Sequence, residues 1–282
     1  MDINELIKDN DSLASLPEVY YRLNQAILDP DCTFDNIGDI ISSDASITTR
    51  LLRIVNSAYY GFTNRVETVT HALAVIGTDQ LSQMVLATAV MNRFKGIPQE
   101  IYDIESFWRH SLACGLAARS LAGFCNESNV ERYFVAGLLH DVGRLVMCTK
   151  IPEDVREVLK RSQDSGSPLF KEEKKYFGFD HAEVGMKLIK AWLLPERLEE
   201  SIGYHHTPEK SINYPVEAAV TCLANGIAHS MQLGDSGEVI VVPLNQRCWE
   251  TIGLSENLHL HLVKEKVAEQ YEDVTRTFLA KP

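Results

Sequence analysis

Apolar residues recur along this chain at spacings of three and four almost from end to end, so its dominant pattern is helix after helix. Ser15-Leu16-Pro17-Glu18 has the form of a capping box with proline in the first turn; Val19, Leu23, Ala26 and Ile27 follow at helical spacing until Asp29-Pro30 stops the run. A second helix is predicted from Asp44, with Ile47, Leu51, Ile54, Val55 and Ala58 on one face and Gly61 ending it. TVTHALAVIGTDQLSQMVLATAVMNRF contains two more, broken near Gly77-Thr78-Asp79, and Pro98 with the polar PQEIYDIES marks a junction near residue 100. Beyond it the pattern predicts helices over 104–124, 130–147, 153–165, 180–194, 196–206, 215–233 and 255–279. Only GEVIVVPL, Gly237 to Leu244, has the β-branched content of a strand, and it is read as an extended loop. The expected class is therefore all-α, with an N-terminal helical lobe over 1–100 and a longer helical lobe over 101–282.

Composition narrows what such a chain can do. It has 282 residues, 45% hydrophobic and 23% charged, with a formal net charge of -12. That acidity, without a Lys/Arg cluster, argues against nucleic acid and anionic membrane surfaces as partners. In SDASITTRLLRIVNSAYYGF, which has the outline of a DNA-reading helix pair, Arg50 and Arg53 are the only arginines. Asp44, Arg53, Asn56 and Ser57 there are expected to fix the turn and contacts between lobes, and Tyr59 and Tyr60 to pack. No run has the apolar length of a membrane span, and MDINELIKDNDSL is not a secretory signal. Six scattered cysteines with no C-x-x-C pair fit reduced thiols and a cytoplasmic setting.

The segment FVAGLLHDVGRLVM poses the chemical question. It is apolar on almost every side, which describes a buried helix, yet it carries His140 and Asp141 at its middle. A buried carboxylate must be paired, hydrogen-bonded or coordinating a metal. Arg144, three residues on, offers a structural ion pair; a metal is the other reading. A neighbouring histidine joins Asp141 at one ion only if the backbone turns both toward it. Other histidines tilt the balance toward metal: His110 on an apolar stripe, His181 in the first turn behind the box Asp180–Glu183, and His205-His206 closing a helix. The helix dipole at His181 favours a neutral imidazole there. Asn225 lies on the stripe Ala218, Cys222, Asn225, His229. His71, His229, His259 and His261 read as ordinary surface or core residues.

The order His110, His140-Asp141 within LLHDVGRL, His181, His205-His206 resembles the HD superfamily of metal-dependent phosphohydrolases. SLPEVYYRL, IISSDASITTRLLRIVNSAYYGF and ALAVIGTDQLSQMVL narrow the match: they resemble the HDOD domain, the HD-related output domain of bacterial signalling proteins, over roughly residues 12 to 230. The resemblance implies His110, His140 and Asp141 as ligands of a first divalent ion and His181, His205 and His206 of a second, with iron, zinc or manganese as the metal. Two departures qualify it. Asn225 stands where the superfamily has its last aspartate, and an amide oxygen brings no charge to a metal. TPEKSINYP, after His206, lacks the acidic residue and the glycines of the branch that hydrolyses cyclic dinucleotides. HDOD domains as a group have lost ligands and serve as non-catalytic modules, so the expected role is a signalling output module that retains a His/Asp metal site and works with other signalling proteins. No receiver, kinase or cyclase pattern is present, so the input to such a module is expected from a separate protein, a small ligand, or a metal or redox change. The alternative is a metal-dependent phosphohydrolase of a nucleotide or other phosphorylated small molecule, with Asp141 bridging the ions and Arg144 on the phosphate.

Overall fold

The computed structural model describes residues 2–8, 16–94, 97, 103–238, 240 and 243–280. Within these the chain is all-α, with no strand. The helices are α1 (Ile3–Lys8), α2 (Glu18–Leu28), α3 (Phe34–Ser42), α4 (Ala45–Val55), α5 (Val69–Ile76), α6 (Thr78–Arg93), α7 (Ile104–Phe124) and α8 (Val130–Leu139). There follow α9 (Val142–Lys150), α10 (Pro152–Ser165), α11 (Leu169–Phe177), α12 (His181–Ala191), α13 (Glu196–Gly203), α14 (Pro215–Ser230), α15 (Gln246–Thr251) and α16 (Glu256–Leu279). A short 3-10 turn, Pro208–Lys210, precedes α14.

Two compact units divide the chain. One comprises residues 16–95 and 268–282, the other 1–15 and 96–267, a division that exchanges both chain ends relative to the expected 1–100 and 101–282. In the first unit the helix starts are capped by side chains. Thr33 and Asn36 form a reciprocal capping box, and the Asp44 carboxylate accepts the Ile47 N–H at 3.0 Å. Those caps aim Leu23, Ile41, Ile47, Leu51, Ile54, Leu81 and Met84 into one core. The first predicted helix starts later than expected: α2 begins at Glu18 with Pro17 at its N-cap, and Ser15 lies outside the described residues. The helix from Asp44 ends at Val55, well before Gly61, because Asn56 turns back on the Leu52 carbonyl and opens a loop. The junction at Pro98 and most of the centre of GEVIVVPL also fall outside the described residues.

The second unit is built around α7, which α8 and α14 flank. Small residues make this possible. A side chain at Gly137 of α8 would come 2.6 Å from the Cys114 carbonyl oxygen, so the glycine lets the two backbones touch. A second sheaf joins α9 to α12 and α12 to α13. Its contact point is Gly143, whose Cα faces the His181 carbonyl and the Gly185 amide directly. The expected single helix over 130–147 is in fact two, interrupted at His140–Asp141. That break is what the site needs: it turns two adjacent side chains to the same side, which an unbroken helix cannot do. Among the described residues, no helix is long and apolar enough to cross a membrane.

Candidate metal centre

The polar cluster of the second unit is assembled from five places. His110 comes from the middle of α7, His140 and Asp141 from the α8–α9 break, and His181 from the first turn of α12. His205 and His206 follow α13, and Asn225 comes from α14. His140, Asp141 and His181 are at most 2% exposed, and His205 is 1% exposed.

Ligand-capable atoms of Asp141, His181, His205 and His206 all lie within 4.8 Å of one another. Asp141 Oδ1 is 3.0 Å from His181 Nε2 and 3.6 Å from His205 Nε2, and His206 Nε2 is 3.0 Å from His181 Nε2. Donors that share one ion at ~2.1 Å stand roughly 3 Å apart, so these four atoms fit. Two histidines are already oriented for such a role. His205 Nδ1–H donates to the Ile202 carbonyl at 2.7 Å and His140 Nδ1–H to the Gly137 carbonyl at 2.7 Å, which leaves each Nε2 bare and inward. His205 Nε2 and His140 Nε2 are buried atoms that make no hydrogen bond. Orphaned buried lone pairs converging on one point are what a cation would satisfy.

A second group holds His110, Cys114 and His140, likewise within 4.8 Å of one another. Here the donors are engaged with each other. His110 Nε2 lies 3.1 Å from Asn225 Oδ1 and 3.3 Å from Cys114 Sγ. With Nε2–H donating to the amide oxygen, that nitrogen is closed to a metal. Burial, with Asp141 nearby, pushes the Cys114 thiol well above its ordinary range and keeps it protonated. The grouping thus differs from the one implied by the resemblance: Asp141 sits with His181, His205 and His206, although His140 Nε2 approaches its other oxygen at 3.3 Å.

Arg144 adds a cation to the same space. Its Nη1 is 3.2 Å from Asp141 Oδ2, and its Nη2 lies 3.0 and 3.2 Å from the two ring nitrogens of His181. It also donates to the Ser236 carbonyl. The ion pair expected as the plain reading of Asp141 is therefore present, alongside the histidines. Glu173, on α11, completes the group: its Oε2 receives the His181 backbone N–H at 2.9 Å and stands 2.6 Å from His181 Nδ1. Sequence reasoning missed it, because Glu173 sits in a run, KEEKK, that looks solvated throughout.

Charges in the cluster oppose and balance. Burial works against the Asp141 carboxylate, but Arg144, His140 and His181 outweigh it and hold the group well below the usual range. At His181 burial and Arg144 favour a neutral ring, yet Glu173 and Asp141 prevail and push it up to about 10. Without a bound ion the two close carboxylates thus favour a proton on His181 over the neutral imidazole expected from the helix dipole; an ion held by His181 Nε2 would take that proton's place. Burial holds His110, His205 and His206 well below the ordinary imidazole value, leaving them neutral.

His229, read from sequence as ordinary, belongs here as well. Its ring lies 4.4 Å from that of His110, and its Nε2 is 3.4 Å from Ser236 Oγ. Ser236 sits in a strap that follows α14 and closes over the cluster. The Asp235 N–H donates to the Ser106 carbonyl at 3.1 Å, and Glu238 accepts the Leu169 N–H at 2.8 Å. Gly234, at φ 71°, lies flat against the backbone of Ser106 and His110. His71 and His261 are exposed, as expected.

Comparison with known proteins agrees with this architecture. The family profile for the HDOD domain matches residues 13–208. A solved HDOD domain protein of unknown function from Geobacter sulfurreducens superposes with a TM-score of 0.83 at 25% identity, covering 99% of this chain and 97% of that one. A candidate phosphohydrolase from Shewanella amazonensis shares the fold, with a TM-score of 0.75 at 22% identity over 98% of this chain and 96% of that one. An uncharacterized protein of Treponema pallidum is 25% identical over 217 residues, which are 76% of this chain and 42% of the relative; this chain thus spans less than half of that protein.

Proposed function

The chain belongs to the HDOD domain family, and on that premise we propose that it is a bacterial signal-transduction output module, non-catalytic, holding one divalent metal ion. Asp141, His181, His205 and His206 would bind the ion, with His140 Nε2 alongside. When bound, such an ion supplies Lewis acidity and four strong bonds between elements distant in sequence. In this reading its work is structural: it ties the α8–α9 break to the start of α12 and the end of α13, so that the unit presents a fixed surface to other signalling proteins.

The observation that carries the non-catalytic half is the placement of Arg144. A phosphoester needs a cation to receive its charge. Arg144, in contact with the cluster, is 2% exposed and engaged by Asp141, His181 and the Ser236 carbonyl. Asn225 works in the same direction, since it ties up His110 where a second ion would need a carboxylate.

Elemental analysis of protein purified without chelators tests this. About one equivalent of iron, zinc or manganese per chain is expected, lost in His205→Ala and in His206→Ala with the fold retained. Chelation should lower the melting temperature; an ion at 100 times its Kd contributes about 2.7 kcal/mol. A wild type that is metal-free and equally stable would remove the metal from the proposal. Phosphate release from a panel of nucleotides, abolished by Asp141→Ala, would replace the non-catalytic reading with that of a phosphohydrolase. Asn225→Asp supplies a further check: a carboxylate beside His110 and His140 is expected to raise the metal content toward two equivalents.

A further inference from the structure

The unit of residues 16–95 and 268–282 carries a groove of its own, about 970 Å³ in volume, in the size range of small-ligand sites. Its walls are the end of α4, the loop from Asn56 to Glu67 and the last turns of α16. That loop is held rigidly by side chains. Asn56 Oδ1 accepts the Val66 N–H at 2.8 Å, while Nδ2 donates to the carbonyls of Val66 at 2.8 Å and Leu52 at 2.7 Å. Ser57 Oγ donates to the Ile54 carbonyl at 2.7 Å and accepts the Tyr59 N–H at 3.2 Å. Asp273, on α16, receives the Ala58 N–H at 2.8 Å. The expected turn-fixing role of Asn56 and Ser57 is thus visible in the bonds they make.

Arg53, Arg65 and Arg276 line this groove, and each is exposed there. Three guanidiniums in one groove are unusual for a chain of net charge -12. Two carboxylates face them: Glu67, and Asp273, which accepts the Ala58 N–H and pairs with Arg276 through one Nη, leaving that guanidinium's other donors to the groove. Phe62 also lines the groove and is 40% exposed, its ring parallel to that of Tyr60. Guanidinium forks match phosphate oxygens, and an open aromatic face suits a planar heterocycle. We propose that this groove binds a nucleotide, its phosphates on Arg53, Arg65 and Arg276 and its base against Phe62. Such a ligand would be a small-molecule input to the module proposed above. The site is distinct from the His/Asp cluster and stands whether or not that cluster holds a metal.

Calorimetric titration of the whole chain with ATP and with GTP, each against the free nucleoside and inorganic triphosphate, tests the proposal. Saturable binding of at least one nucleotide is expected, weakened about tenfold or more by Arg65→Ala and by Arg53→Ala and severalfold by Phe62→Ala, with unchanged melting temperatures. His206→Ala is expected to bind as wild type does, which separates this groove from the metal centre. Three results would each overturn the proposal: no saturation by either nucleotide up to about 1 mM, binding indifferent to both arginine variants, or binding lost in His206→Ala instead. Inorganic triphosphate binding as tightly as the nucleotides would overturn the assignment of the base to Phe62.

Discussion

Gly143→Ala is expected to be among the most damaging single-methyl changes at the described residues. A Cβ at this position would fall under 3.0 Å from the His181 carbonyl oxygen and the Gly185 amide nitrogen, a separation that real Cβ atoms essentially never show. Both obstacles are backbone atoms, so no rotamer change relieves them, and α9 and α12 must move apart. Overpacking of this kind costs about 3 kcal/mol or more. For a chain of this size that lowers the melting temperature by roughly 6–12 °C. The same movement separates Asp141 from His181, so the variant should lose its metal as well. Two controls bracket the result. At Gly185 the added methyl meets the Ile202 Cγ2 at 2.8 Å, a side-chain end that can yield, and a smaller loss is expected. At Gly123, exposed near the end of α7, it meets nothing, and alanine should match or slightly exceed wild type by its helix propensity. Thermal unfolding of the three variants decides; a wild-type melting temperature for Gly143→Ala would refute the close approach of α9 to α12.

Removing Asp141 is expected to act through charge. Asp141→Ala removes from the buried Arg144 guanidinium the carboxylate 3.2 Å away, with Glu173 still 3.8 Å from its Nε. Breaking a buried pair in this way costs about 3–5 kcal/mol, mostly the penalty of the uncompensated cation. The loss should appear in metal-free protein too, which distinguishes it from a ligand effect. Arg144→Met in the Asp141→Ala background should recover part of the stability, because the buried guanidinium that lost its carboxylate is then gone; a double-mutant cycle by chemical denaturation measures the coupling. If the two losses simply add, Asp141 and Arg144 are not energetically paired, and the 3.2 Å contact between them carries no weight.

These expectations show how much of the site could be read from residues alone. Asp180 and Glu183 form the capping box that their spacing announces, and His181 sits in the first turn behind it. The helix expected at 104–124 spans Ile104–Phe124. Capping and periodicity are local, so the chain within one or two turns contains the information. Glu173 is the opposite case. It and Glu172 are neighbours of the same type between lysines, yet Glu172 pairs with the exposed Lys175 while Glu173 turns inward to His181. Nothing within a few residues distinguishes them. His229 and Cys114 were equally illegible as members of a cluster, since each looks like one more residue on an apolar stripe until α7 and α14 are packed together.

From sequence alone follow the all-α class, the positions of most helices and the family, because each rests on short-range periodicity or on residue order. Which of those side chains meet was decided by tertiary structure. The break at His140–Asp141, the glycine contact of α9 with α12 and the strap over Arg144 depend on surfaces contributed from opposite ends of the second unit. Grouping Asp141 with His181, His205 and His206 follows from distances of about 3 Å between residues tens of positions apart, and at that range electrostatics and packing outweigh any local preference.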